Sequence, residues 1–260
     1  MRPEMRTQER SQVWRKEVRP QMWSEMRTQV RRQELRQTVR QQTAAHPQCL
    51  SEAGWRLLET YSDLAKRGEH LFTQLLKGQA PRQWTHYPED DAIDRASGYQ
   101  WFYHSHSPQD RPETGEHGHI HVFARRPLWS RRLQSSAEKA FAELCCQPQA
   151  SPNTRHLLAI GFDAKGVPSS LFTVNSWVTG DLMLNAKLSM ELLTSMRLNT
   201  GHPSVDTVIE SVIQLCQPEI RQVLNERDRA LRSYSGPDKL DAPELELLAQ
   251  TPIDLDAKLR

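Results

Sequence analysis

Five of the ten histidines in this 260-residue chain fall within residues 99–123, at His104, His106, His117, His119 and His121. On either side of a polar segment, 107–116, the residues of this stretch alternate with a period of two. That alternation predicts two strands of an antiparallel hairpin, because a helix repeats every 3.6 residues and cannot hold every second side chain on one face. Successive strand side chains point to opposite faces, so His117, His119 and His121 share a face, as do His104 and His106. Register decides whether the two sets meet. With His106 opposite His117 all five imidazoles face one way, and a slip of one residue puts the sets on opposite faces.

Neutral imidazole is the commonest metal ligand, and a His-x-His pair on a strand presents two nitrogens one side-chain row apart. A third nitrogen from the neighbouring strand completes a facial set that suits zinc with an open position, or iron or copper. The expected metal ligands are therefore His104, His106, His117, His119 and His121. Glu113 or Glu116 from the intervening segment offers a carboxylate ligand or general base, with Glu116 and His119 the expected catalytic pair. His156 and Asp181 are further candidates. The bland alternative is a face of stacked or solvated histidines.

Two resemblances bear on this stretch. His117-Gly-His-Ile-His-Val-Phe123 is similar to the His-φ-His-φ-His-φφ motif of the histidine-triad nucleotide hydrolases and transferases, with Gly118 in place of an apolar residue. The resemblance implies phosphoryl or nucleotidyl transfer with His119 as nucleophile; that family's glycine-rich pattern and amide partners are not evident. A longer region, roughly 86–252, resembles a bacterial domain family of unknown function. The residues that carry this resemblance are Phe102-Tyr-His-Ser-His106, Glu116-His-Gly-His-Ile-His121, His156-Leu-Leu-Ala-Ile160 and Leu171-Phe-Thr-Val-Asn-Ser-Trp-Val-Thr-Gly180. It implies one structural unit and no particular activity.

Around the hairpin the pattern predicts an α+β fold, an antiparallel sheet or open barrel of at least four strands flanked by N- and C-terminal helices. Ser51 is placed to cap a helix carrying Leu57, Leu58, Tyr61 and Leu64 as far as Gly68, and a second helix covers 71–76. Residues 81–96 read as a loop holding an acidic cluster of Glu89, Asp90, Asp91 and Asp94. A short helix is expected over 136–146 with Ala137, Phe141 and Leu144 inward. A central strand follows over 156–162, then a turn and a strand over 167–175. Asp181 precedes or caps a helix through Leu188 and Leu193; further helices span 203–215 and, opened by Pro218, run to Leu231. Another short acidic helix is expected over 244–249.

The domain boundaries expected are a basic arm at 1–45, one α+β domain at 46–234 and an acidic tail at 235–260. In the arm, Glu4-Met-Arg-Thr-Gln8 recurs as Glu25-Met-Arg-Thr-Gln29, three heptads on. It holds eleven Arg and Lys against five Glu, so +6 of a formal net charge of +2 lies here and the rest of the chain carries −4. Such an arm is suited to nucleic acid or a protein partner, and Arg125, Arg126, Arg131 and Arg132 around Trp129 offer a second basic surface. Its other reading is a duplicated extension with no binding role. No apolar run is long enough to span a bilayer. The four cysteines show no metal-type spacing, so reduced thiols and a cytoplasmic location are expected.

Overall fold

The computed structural model describes residues 51–106, 116–145 and 153–260. The arm at 1–45, together with Glu113 and most of the segment between the two histidine strands, lies outside the described residues. Residues 51–260 form one compact unit.

Helix α1 (Glu52–Arg67) begins at Ser51, whose hydroxyl accepts from Gly54 N, and ends at Gly68 in the left-handed conformation (φ 64°) that glycine adopts without a Cβ penalty. After a short turn of helix, Thr73–Leu76, come β1 (Tyr87–Asp94), β2 (Tyr99–Ser105) and β3 (Gly118–Arg125). Helix α2 (Ser136–Leu144) separates these from β4 (Thr154–Phe162) and β5 (Pro168–Val174). A two-residue strand β6 (Leu182–Met183) leads into α3 (Ala186–Thr194), α4 (Pro203–Leu215), α5 (Gln217–Ser233) and finally β7 (Leu247–Pro252).

The strands form an open sheet in the order β1-β2-β3-β4-β5-β7, antiparallel along that path, with β6 pairing parallel to one end of β4. The sheet has two edges, β1 and β7, and does not close into a barrel. One face carries Trp101, Tyr103, Ile120, Val122, Leu158, Ile160, Phe162 and Leu171, packed with Leu57 and Leu64 of α1, Val208 and Val212 of α4, and Val223 and Leu224 of α5. Trp101 Nε1 donates to Asp206 Oδ1 of α4 at 2.9 Å, so the helix layer is also fastened by a buried polar bond. The opposite face carries the alternate residues, among them Phe102, His104, His119, His121 and Phe172.

Two segments depart from the sequence expectation. Residues 87–94 form the edge strand β1 rather than part of a loop. Its Pro88 and run of acidic residues have low strand propensity, yet an edge strand tolerates a missing N–H and solvated carboxylates, and charges there discourage pairing with another chain. The tail residues 247–252 pair with β5 as β7 instead of continuing a helix over 244–249. The spacing of Leu245, Leu247 and Leu248 fits either period over so short a run, and the exposed backbone of β5 settles it. Smaller corrections follow the same physics. In α2 the buried residues are Glu138 and Phe141, with Ala137 exposed. Asn185, rather than Asp181, caps α3 by accepting from Leu188 N.

Candidate metal centre

The register of the hairpin places His104 opposite His119 and Ser105 opposite Gly118, and His106 N donates to His117 O at 3.1 Å. This is the alignment that turns both histidine sets to one face. Glycine at 118 is required by the packing on the other face, where a Cβ would come within 2.7 Å of His104 O and collide with the Tyr103 hydroxyl.

On the shared face His104, His106 and His119 bring one ring nitrogen each to within 4.8 Å of one another, close enough to hold a metal ion. His119 Nε2 stands 2.5 Å from His104 Nε2 and 3.5 Å from His106 Nε2. Two imidazole lone pairs that close repel unless a proton is shared between them. For zinc, tetrahedral bonds of about 2.0–2.1 Å put ligand nitrogens about 3.3 Å apart, which the His106–His119 spacing nearly matches and to which the His104–His119 pair has to widen.

His119 is oriented from behind. Its Nδ1 lies 2.6 Å from Glu116 Oε1, and both side chains are buried. When Glu116 is ionised it can only accept, which puts the proton on Nδ1 and leaves the Nε2 lone pair to the cluster. Glu116 Oε2 accepts in turn from Ser170 Oγ of β5 at 3.3 Å. The carboxylate crosses β4 over Gly161, where a Cβ would collide with Glu116 and Ser170. Three strands thus take part in setting one imidazole.

The other candidates take different places. His121 lies on the same face with its ring 4.6 Å from that of His119, and its Nδ1 is 3.0 Å from His156 Nε2. His156 is fully buried, and desolvation, helped by the positive charge of Arg227, pushes its pKa down to about 3. His117 lies one row toward the segment 107–115, half-buried and outside the convergent trio. Asp181 accepts from Thr154 Oγ1 at the opposite end of β4 from Gly161, and burial raises its pKa. Of the acidic cluster, Asp94 is buried and accepts from the amides of Ala96, Ser97 and Asn199. The loop aromatic Trp129 is buried too, donating to Ala124 O while the Arg155 guanidinium stacks 4.0 Å from its ring. It is therefore not an exposed base-stacking platform.

Residues that the sequence pattern did not single out complete the surroundings. Trp84 is 68% exposed, with its ring 5.0 Å from His106 and 6.1 Å from His104. The ring of His86 stacks on Phe102 at 3.7 Å, and its Nδ1 lies 3.1 Å from Asp91 Oδ1. An aromatic at 84 followed by a histidine at 86 was the available signal, hidden in a segment whose prolines and acids read as loop. A separate surface cavity of about 320 Å³ between α1 and the start of α4 is lined by Arg56, Glu59 and Thr207; its Arg56 is already paired with Glu210 and no histidine lines it.

A family model described as Domain of unknown function (DUF6969) matches residues 51–253. No curated protein and no solved structure matches the chain.

Proposed function

We propose, for a chain that belongs to the family described as Domain of unknown function (DUF6969), that the three-imidazole cluster holds a divalent metal ion and that the protein is a metal-dependent hydrolase or oxygenase. The observation that carries this reading is the convergence of His104, His106 and His119 with His119 braced by a buried carboxylate. Zinc suits three neutral nitrogens with a position left open; iron and copper are the competing ions. When bound, such an ion supplies Lewis-acid polarisation or an activated water.

The roles of the chain's own groups follow from their contacts. His104 on β2 and His106 just past its end supply two nitrogens, and His119 on β3 supplies the third. Glu116 has one oxygen on His119 and the other on Ser170, so it acts as a positioning residue that fixes the tautomer and aim of His119. His121, held against His156, packs beside the trio instead of completing it.

The phosphoryl-transfer reading, in which His119 is a nucleophile, competes for the same Nε2, which has His104 Nε2 at 2.5 Å. The two readings part at the neighbours, because a nucleophile tolerates loss of His104 or His106 and a metal site does not. The test is elemental analysis of the purified protein before and after dialysis against a chelator. The expected result is about one ion per chain, lost in His104→Ala, His106→Ala and His119→Ala, with affinity lowered about 10- to 100-fold in Glu116→Ala. Metal content indistinguishable from background in the undialysed protein sinks the proposal.

A further inference from the structure

The approach to the cluster is flanked by two exposed aromatic rings. Trp84 sits beside His106 and His104, held there by the bridge of Gln83 to Ser105 at the end of β2. It has a left-handed backbone (φ 61°), which a bulky residue rarely adopts. Its indole N–H makes no hydrogen bond to a described residue, so nothing polar in this unit explains its placement. On the other flank, His86 lies flat on Phe102 and 6.2 Å from His104, fixed by Asp91, with 44% of its side chain exposed. Asp91 is held in turn by Gln100 Nε2 at 2.7 Å. Both rings present area to solvent that apolar burial would favour covering.

The charges flanking these rings are mixed, with Glu89 and Asp90 of β1 exposed just after His86 and Arg82 exposed two residues before Trp84. What the two rings offer in common is aromatic area, on which a planar ring stacks without needing a charge partner. We infer that Trp84 and His86 form an aromatic subsite beside the metal centre, which takes a small molecule with a planar aromatic ring attached to a metal-binding oxygen group. This rests on the metal reading and names the substrate class of that same site.

Two probes with the same chelating group separate the ring from the metal: benzohydroxamic acid and acetohydroxamic acid, both neutral below their ionisation. Binding to the zinc-loaded full-length protein is measured by calorimetry, after zinc content has been determined. Wild type is expected to hold the benzene-bearing probe about tenfold more tightly. Trp84→Ala should reduce that preference to nearly nothing while leaving acetohydroxamate affinity and zinc content unchanged, and Trp84→Phe should restore most of it. His86→Ala should give a smaller loss in the same direction. If the protein holds neither zinc nor another divalent metal, the metal reading and this inference fall together. If it holds zinc but binds the two probes equally, or if the preference survives in Trp84→Ala, the aromatic subsite alone is overturned.

Discussion

At the scale of single residues, buried ionisable groups are set by what surrounds them, and they give the chain opposing responses to pH. Glu138 of α2 is buried, and desolvation raises its pKa from 4.5 to about 7, although Asn185 N donates to Oε1 and Arg227 and Arg155 are near. A carboxyl whose folded pKa is raised contributes stability below its unfolded pKa and loses it as pH rises from 4.5 to about 7. His156 works the other way. Its folded pKa of about 3 lies below the ordinary 6.5, so its contribution is complete above 6.5 and is lost as pH falls toward 3. Glu138→Gln should therefore stabilise the protein more at about pH 8 than at about pH 5, read by urea unfolding at both. A pH-independent difference between variant and wild type would show that Glu138 does not titrate in this window. Glu138 was not legible as a buried group, since α2 places it one residue from where the apolar spacing put Ala137. Glu116 was legible as a candidate because it adjoins the histidines, but its partner Ser170 is 54 residues away and no local pattern joins them.

At the scale of elements, the histidine hairpin was the most readable part of the chain. Period-two alternation on both sides of 107–116 made both strands legible but left their register open, and the pairing of His104 with His119 decides it. Strands β1 and β7 were not readable, because edge position and a waiting partner strand decided them against weak local propensity. On β3 the alternation separates two jobs. Ile120 is fully buried toward the helices, and His119 and His121 face the other way. Ile120→Ala should cost about 2 to 4 kcal/mol of stability through the cavity it leaves, while metal stoichiometry at low denaturant stays at the wild-type value. Denaturant titration paired with metal analysis tests both halves, and loss of metal from a folded Ile120→Ala protein would mean that the two faces are mechanically coupled.

At the scale of the whole molecule, the family match, the sheet and the trio all lie within residues 51–260. Among the described residues no helix is long and apolar enough to cross a membrane. A chain lacking residues 1–45 should keep its full metal content, because the proposed ligands sit on β2, just past its end, and on β3. If the basic arm reads nucleic acid, the same deletion should remove most affinity for duplex DNA or RNA and flatten its dependence on salt, measured by anisotropy titration. Unchanged nucleic-acid binding would dismiss the arm as the reader.

The brace from Ser170 through Glu116 to His119 also orders events in time. During synthesis, the three imidazoles leave the ribosome together on one hairpin, so a loose encounter with a cation needs only local chain. The hydroxyl that holds the carboxylate arrives 54 residues later, and only after β4 has filed in between. If the trio holds an ion as proposed, the brace that aims His119 is therefore complete only once the far side of the sheet is in place.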